Sequence, residues 1–299
     1  MNNFKLAIVA AAAALISASS ASAECDVSRL VGNAVQISAI YDGFSPSDTT
    51  VPLLAPVPSD ADCANKRIAY EFSSFDGRAL TPNGFELRSG SGALSAEIVG
   101  DAAVNPVSRG GKFEYSFNAA SASSPSSLRL SFPRGQRVAS GLYEGQLRVA
   151  AVAIDENGAE QYRRDDIIAV SVRVPPSVSL SAAWGTELDL GELSANGRAR
   201  EPLKFRAYAN TRYEIILTSD HSFGLIRPLQ TESASISYIP MLSGVELTSG
   251  SERMAGFDTP PLTTGFSDHT LDVVVPALAL RPAGEYEDFI TVTIRPALS

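Results

Sequence analysis

Pro282–Ser299 reads PAGEYEDFITVTIRPALS, a turn followed by one strongly patterned strand. Tyr286, Ile290, Val292 and Ile294 fall on one side, and Glu287, Thr291, Thr293 and Arg295 on the other. That period of two is the mark of a strand with one face in a core. A strand at a sheet edge is a hazard that proteins usually cover. What covers this one is the question the rest of the sequence must answer.

The same period recurs along the chain. VQISAIY, RIAYEF, KFEYSF, SLRLSF, GQLRVAAVAI and DIIAVSVRV carry it in the first half. LKFRAY, RYEIILT, SISYIP, LDVVVP and FITVTI carry it in the second. The breaks are rich in Gly, Ser, Pro, Asn and Asp, and no segment after the leader has a convincing helical period. The expected fold class is all-β, as two tandem β-sandwiches.

An internal repeat supports the tandem reading. A strand from Leu128 ends at Pro133 and is followed by Gly141-Leu142-Tyr143 and another strand. A strand from Leu271 ends at Pro276 and is followed by Gly284-Glu285-Tyr286 and another strand. The glycine frees the turn, and the tyrosine opens the next strand with a large inward side chain. The first copy continues through Asn157-Gly158 into DDIIAVSVRV, whose Ile168, Val170, Val172 and Val174 form one apolar face. The second copy continues only as RPALS. Measured against its sibling, the second sandwich is expected to be one strand short and to invite a strand from another chain. The boundary is expected near Pro175-Pro176, which interrupts any strand ladder.

Residues 1–23 read as an export signal: Lys5, the apolar LAIVAAAAALIS, and the small-residue site ASA before Glu24. The domains are therefore expected at 1–23 (signal), 24–175 and 176–299. In an exported chain the pair Cys25 and Cys63 reads as a disulfide, worth about 4 kcal/mol in the chain-entropy model. A reactive thiol pair lacks the C-x-x-C spacing. The net charge of -9, with scattered lysines and arginines, argues against nucleic acid or an anionic membrane as partner.

No catalytic set, cofactor motif or metal cluster stands out, and an enzyme is not expected. SGSG at Ser89–Gly92 lacks the nucleophile-elbow spacing. Asp220-His221 and Asp268-His269 read as solvated pairs in polar turns, and DENG at Asp155–Gly158 as a hairpin turn too short to hold calcium. Arg163, Arg164, Asp165 and Asp166 read as a solvated strand start. The stretch TTVPLLAPVPSDADC places Val51, Leu53, Leu54 and Val57 among prolines. One reading is an exposed apolar loop that makes adhesive contacts; the other is an edge strand packed on the sandwich. FSSFDGRALTPNGF, with Phe75, Leu80 and Phe85, is a second loop candidate.

LDLGEL at Leu188–Leu193, then NTRYEIILTSD, ISYIPMLSGVEL and PAGEYEDFITVTI, resemble the spore-coat-U-like pilin domain of archaic, Csu-type chaperone–usher pili. VQISAIYDGFSPSD and the order of the two cysteines resemble the same family more loosely, and the second half lacks cysteines. The resemblance implies immunoglobulin-like sandwiches, the C-terminal one incomplete. The second half would be a pilin fold lacking its closing strand, with Tyr286, Ile290, Val292 and Ile294 lining the acceptor groove. Its implied partners are a periplasmic chaperone, an outer-membrane usher and an adjacent subunit that donates a strand. Because Cys25 follows the cleavage site directly, no donor arm is expected. That layout implies a two-domain tip adhesin, extracellular at the pilus end, attaching to a surface or glycan. A non-tip subunit with an extra domain, and an exported glycan-binding sandwich, are the alternatives.

Overall fold

The computed structural model describes residues 36–54, 67–75, 84–90, 92–100, 106–109, 112–118, 128–181, 187–191, 201–228, 235–248, 252–276 and 284–297. The segment read as an export signal, with Cys25, Val57, Cys63 and Leu80, lies outside them. Every named element is a strand.

The first ten are β1 (Gln36–Ile40), β2 (Thr49–Leu54), β3 (Arg67–Ser74), β4 (Gly84–Ser89), β5 (Gly92–Gly100), β6 (Pro106–Arg109), β7 (Lys112–Asn118), β8 (Leu128–Phe132), β9 (Gly141–Ile154) and β10 (Glu160–Val174). They form one hydrogen-bonded sheet around one hydrophobic cluster. Its path is β2-β8-β5-β4-β9-β3-β7-β6, with β10 on β9 and β1 on β10. The long β9–β10 hairpin is its spine, paired at Ile154↔Glu160 and, after a register shift, continuously from Ala153↔Tyr162 to Gly141↔Val174. The Asp155 carboxylate closes the turn by accepting the N–H of Asn157 at 2.9 Å and of Ala159 at 2.8 Å. Gly158 supplies the left-handed residue at φ +83°. The DENG segment is thus a hairpin turn, and Arg163 in β10 reaches Glu71 of β3 at 3.1 Å.

The remaining strands are β11 (Val178–Ser181), β12 (Leu203–Ala209), β13 (Tyr213–Ser219), β14 (Gly224–Leu225), β15 (Ile236–Ser237), β16 (Ile239–Leu242), β17 (Val245–Glu246), β18 (Glu252–Phe257), β19 (Phe266–Val274) and β20 (Ile290–Pro296). One sheet runs β11-β12-β19-β16-β17, a second β18-β13-β20, and β14 pairs with β15. They enclose a separate cluster containing Phe205, Tyr213, Ile215, Leu217 and Leu271. No ladder described joins β1–β10 to β11–β20, and Pro175-Pro176 lies between them.

The repeat has a backbone counterpart. Gly141 and Gly284 have φ of +151° and +157°, a region that side chains rarely enter. Tyr143 is 1% exposed, and its hydroxyl donates to the Ala139 carbonyl at 2.9 Å. Tyr286 occupies the matching place but is only partly buried.

Some loops expected from the sequence are strands. Pro52 does not stop β2, which pairs with β8 at a sheet edge where a missing N–H is tolerated. Leu53 is 1% exposed in the first cluster and Val51 packs partly against it. An exposed adhesive loop is therefore corrected at Leu53: its burial is worth about 1.5–3 kcal/mol, and it has no surface to offer. Leu54 ends β2. Phe85, the other loop candidate, is in the core on β4, while Phe75 just after β3 is exposed. Ser89–Gly92 is the β4–β5 hairpin turn, with Gly90 at φ +52°.

Candidate functional site: an open flank of the second sandwich

β20 pairs along one edge with β13, and β11 pairs along one edge with β12. Among the described residues, nothing pairs with the other edge of either strand. These two edges belong to different sheets and come within 8 Å of each other, Cα to Cα, at their closest. Hydrogen-bonded neighbours sit about 4.8 Å apart, and two strands either side of a third about 9.6 Å. No ladder joins the two strands, and at their closest they stand nearer than the two flanks of an inserted strand would.

The inward side chains follow the same gradient. Ile215 and Leu217 of β13 are 0% exposed. Their partners across the ladder, Ile294 and Val292, are only partly buried, as is Ile290 opposite Ser219. Val178 and Leu180 of β11, with Leu188 and Leu190 of the LDLGEL stretch, pack partly against the same cluster. The four residues expected to line a groove, Tyr286, Ile290, Val292 and Ile294, are all partly buried against the second cluster.

The first sandwich is arranged differently beside its Gly-x-Tyr strand. There β10 lies between β9, to which it is antiparallel, and β1, to which it is parallel. Its Ile168, Val170, Val172 and Val174 are at most 1% exposed. Burial stays complete from β9 to β10 but falls off from β13 to β20.

A polar network anchors the start of β20. The Asp288 side chain is 2% exposed. Its Oδ2 accepts the Ser219 hydroxyl at 2.6 Å and the Tyr238 hydroxyl at 2.5 Å. Its Oδ1 meets His221 Nδ1 at 3.0 Å, the His221 N–H at 3.2 Å and the Phe289 N–H at 2.8 Å. Burial, then the bond to Asp288, pushes the Tyr238 phenol well above its ordinary value. Ile226 and Glu287 exchange backbone hydrogen bonds just upstream. Arg227 lies over the Tyr286 ring at 5.8 Å, and its guanidinium occupies the space a side chain on Gly284 would need. Residues 284–288 thus fix the register of the strand that borders the flank.

The histidines are not the solvated pair that the sequence suggested. His221 joins Asp288. His269 is on β19, not in a turn, and is 4% exposed. It shares hydrogen bonds with Tyr213 at 2.7 Å and Ser243 at 2.9 Å, and packs beside Phe205 and Phe257. Burial holds it below its ordinary value, opposed by the smaller effect of Asp268. Asp268 points the other way, to Arg206 at 2.9 Å. Read from the sequence, Asp268-His269 falls in a polar turn; the partners of His269, Tyr213 and Ser243, are distant in sequence and no local pattern announces them.

No family model matches the chain, and no curated protein matches it. Among solved structures, it is similar to a chain of the CsuC–CsuE chaperone–tip adhesion subunit pre-assembly complex from archaic chaperone-usher Csu pili of Acinetobacter baumannii. That likeness has 16% identity and a TM-score of 0.45, and covers 87% of this chain and 99% of the other. A chaperone–tip adhesin complex of CFA/I fimbriae matches at 14% identity and a TM-score of 0.37, over 88% and 95% of the two chains. AggA, the major subunit of aggregative adherence fimbriae type I from Escherichia coli, matches at 14% and 0.32, over 46% and 89%. None of these TM-scores reaches 0.5.

Proposed function

We propose that the second sandwich is a strand acceptor and that the chain is a subunit of a chaperone–usher pilus. The observation that carries this reading is the open flank: two unpaired edges among the described residues, with half-covered apolar faces, where the sibling sandwich holds a strand of its own. By that template, the arriving strand runs antiparallel to β20 and parallel to β11. It carries apolar residues at alternate positions toward Ile290, Val292 and Ile294. A periplasmic chaperone supplies it first and a neighbouring subunit later, with the usher as the assembly platform.

The finer reading is a tip adhesin. In it, 24–175 is the surface-binding domain and 176–299 the pilin domain. The tip position rests on cleavage after Ala23, which N-terminal sequencing of the exported protein checks. A mature start far upstream of Cys25, leaving an alternating arm, would make the chain an internal subunit.

The acceptor reading is tested by adding a ten-residue peptide of alternating apolar residues to the purified chain. Hydrogen exchange followed by mass spectrometry is then compared with and without peptide. The expected outcome is slowed exchange in β20 and β11 and none in β9–β10. Unchanged exchange in β20, from a chain already folded and monomeric without a chaperone, overturns the reading.

A further inference from the structure

We propose that the two sandwiches behave as one rigid body in solution, locked where a braced loop of the first docks on Asn210 and the 261–265 turn of the second. Domains joined in one chain ordinarily move relative to each other unless the interface is large and apolar. Here the lock is polar and local, and it does not depend on strand acceptance.

The docking loop, residues 133–140, is held from behind at three points. The buried Tyr41 hydroxyl donates to the Pro133 carbonyl at 2.9 Å and accepts the Gln136 N–H at 2.9 Å. The Gln136 side chain pairs with both backbone groups of Ser95, at 2.7 and 2.8 Å. The Tyr143 hydroxyl holds the Ala139 carbonyl. All of these contacts are made within the first sandwich.

Two donors then leave it toward the second sandwich. The Ser140 N–H donates to the Asn210 carbonyl at 2.8 Å, and Arg137 Nη1 to the Thr263 carbonyl at 2.6 Å. The stem of Arg137 lies so close to Gly265 that a side chain there would stand 3.1 Å from its Cδ. Asn210 is 8% exposed and grips the connection as well. Its Oδ1 accepts the Ser177 N–H at 2.8 Å, its Nδ2 donates to the Pro175 carbonyl at 3.0 Å, and its own N–H donates to the Ser177 carbonyl at 3.2 Å. One side chain thus spans both ends of the Pro175–Ser177 connection, while its backbone carbonyl holds the first sandwich. With two prolines fixing φ in between, little torsional freedom is left.

The test is residual dipolar couplings measured on the full chain. Amides of 36–174 and of 178–296 are fitted separately. The expected result is one shared alignment tensor. Asn210→Ala combined with Arg137→Ala removes the side-chain grip on Pro175 and Ser177 and the bond to Thr263, and of the two donors above leaves only the Ser140 N–H on the residue-210 carbonyl. It should require two tensors of different magnitude, with amide shifts remote from the junction unchanged. Two tensors in the unaltered chain, or a single tensor in the double variant, overturns the proposal. If the double variant does not fold, Arg137→Ala alone decides. Its side chain lies at the surface, and it should lower the fitted alignment magnitude of one sandwich relative to the other; equal magnitudes refute the lock.

Discussion

Replacing Asp288 by alanine should unpin β20. The cost follows from its five hydrogen bonds taken one at a time. Tyr238 is 2% exposed, so its hydroxyl is left buried without an acceptor, which costs about 2–3 kcal/mol. Ser219 is partly buried and recovers part of its loss from water, leaving about 1 kcal/mol. His221 and the Phe289 amide lie nearer solvent and add little. The total is about 3–4 kcal/mol, a large share of the stability of a small sandwich. Asp288→Asn is the informative companion. All three contacts on Oδ1 survive, and only the two hydroxyls on Oδ2 meet an N–H₂ group and must turn round. Its expected cost is about 1–2 kcal/mol. The assay is hydrogen exchange of the full chain under increasing guanidinium, reading peptides from Tyr213–Ser219 and Ile290–Pro296 against a β9–β10 peptide. The second sandwich should open earlier in the order wild type, Asn, Ala, with the β9–β10 peptide unmoved. A loss below 1 kcal/mol for the alanine variant, or equal losses for both, would refute the reasoning.

Leu53→Ala should destabilise the first sandwich by about 2–5 kcal/mol, as removal of a fully buried side chain does; retained stability with lost surface attachment would restore the adhesive-loop reading. Val292→Arg should abolish peptide-induced protection of β20 while leaving the far-ultraviolet circular dichroism intact, because this residue is only partly covered to begin with. His269 is held below its ordinary value of 6.5 in the folded chain, so the unfolded chain binds more protons as pH falls below that value. The second sandwich should therefore be at full stability above about pH 6.5 and lose some of it on acidification. His269→Gln should flatten that dependence in a denaturation series, and an unchanged slope would show that other groups set it. Denaturing, non-reducing thiol labelling of the exported protein should find neither Cys25 nor Cys63 free.

The sequence was most readable where alternation runs unbroken. Ile168 to Val174 and Ile290 to Ile294 announce their inward faces without help. It was least readable where a proline or small polar residues interrupt a strand whose place is set by its neighbours. Pro52 hid β2, the SGSG turn hid the β4–β5 hairpin, and ERMAGF gave β18 too few large side chains to stand out. The candidate flank was only half legible. Alternation tells which side of a strand faces a core, but not whether its far edge is paired. Ile290, Val292 and Ile294 read like Ile168, Val170 and Val172, yet only the latter are covered. That difference lies in what sits beside the strand. Asp288 was legible as part of a motif, but its grip on Ser219, 69 positions away, was not.

The two spines of the molecule also differ in how far the chain must travel to make them. β9 and β10 meet across a turn in which Asp155 binds an amide only four residues on. β13 and β20 meet across the 69 residues between Ser219 and Asp288. Loop-closure entropy makes the longer closure dearer by about 2–3 kcal/mol, a penalty due before its contacts return anything. The first sandwich can start from a local hairpin, whereas the second must gather most of its strands before β20 has a place to land. During that interval Ile290, Val292 and Ile294 are exposed together, on a segment with high strand propensity and little charge. The time before β20 arrives on β13 is then the period in which this chain is most prone to stick to another copy of itself. A helper present at that moment would act on the rate of folding as much as on its end point.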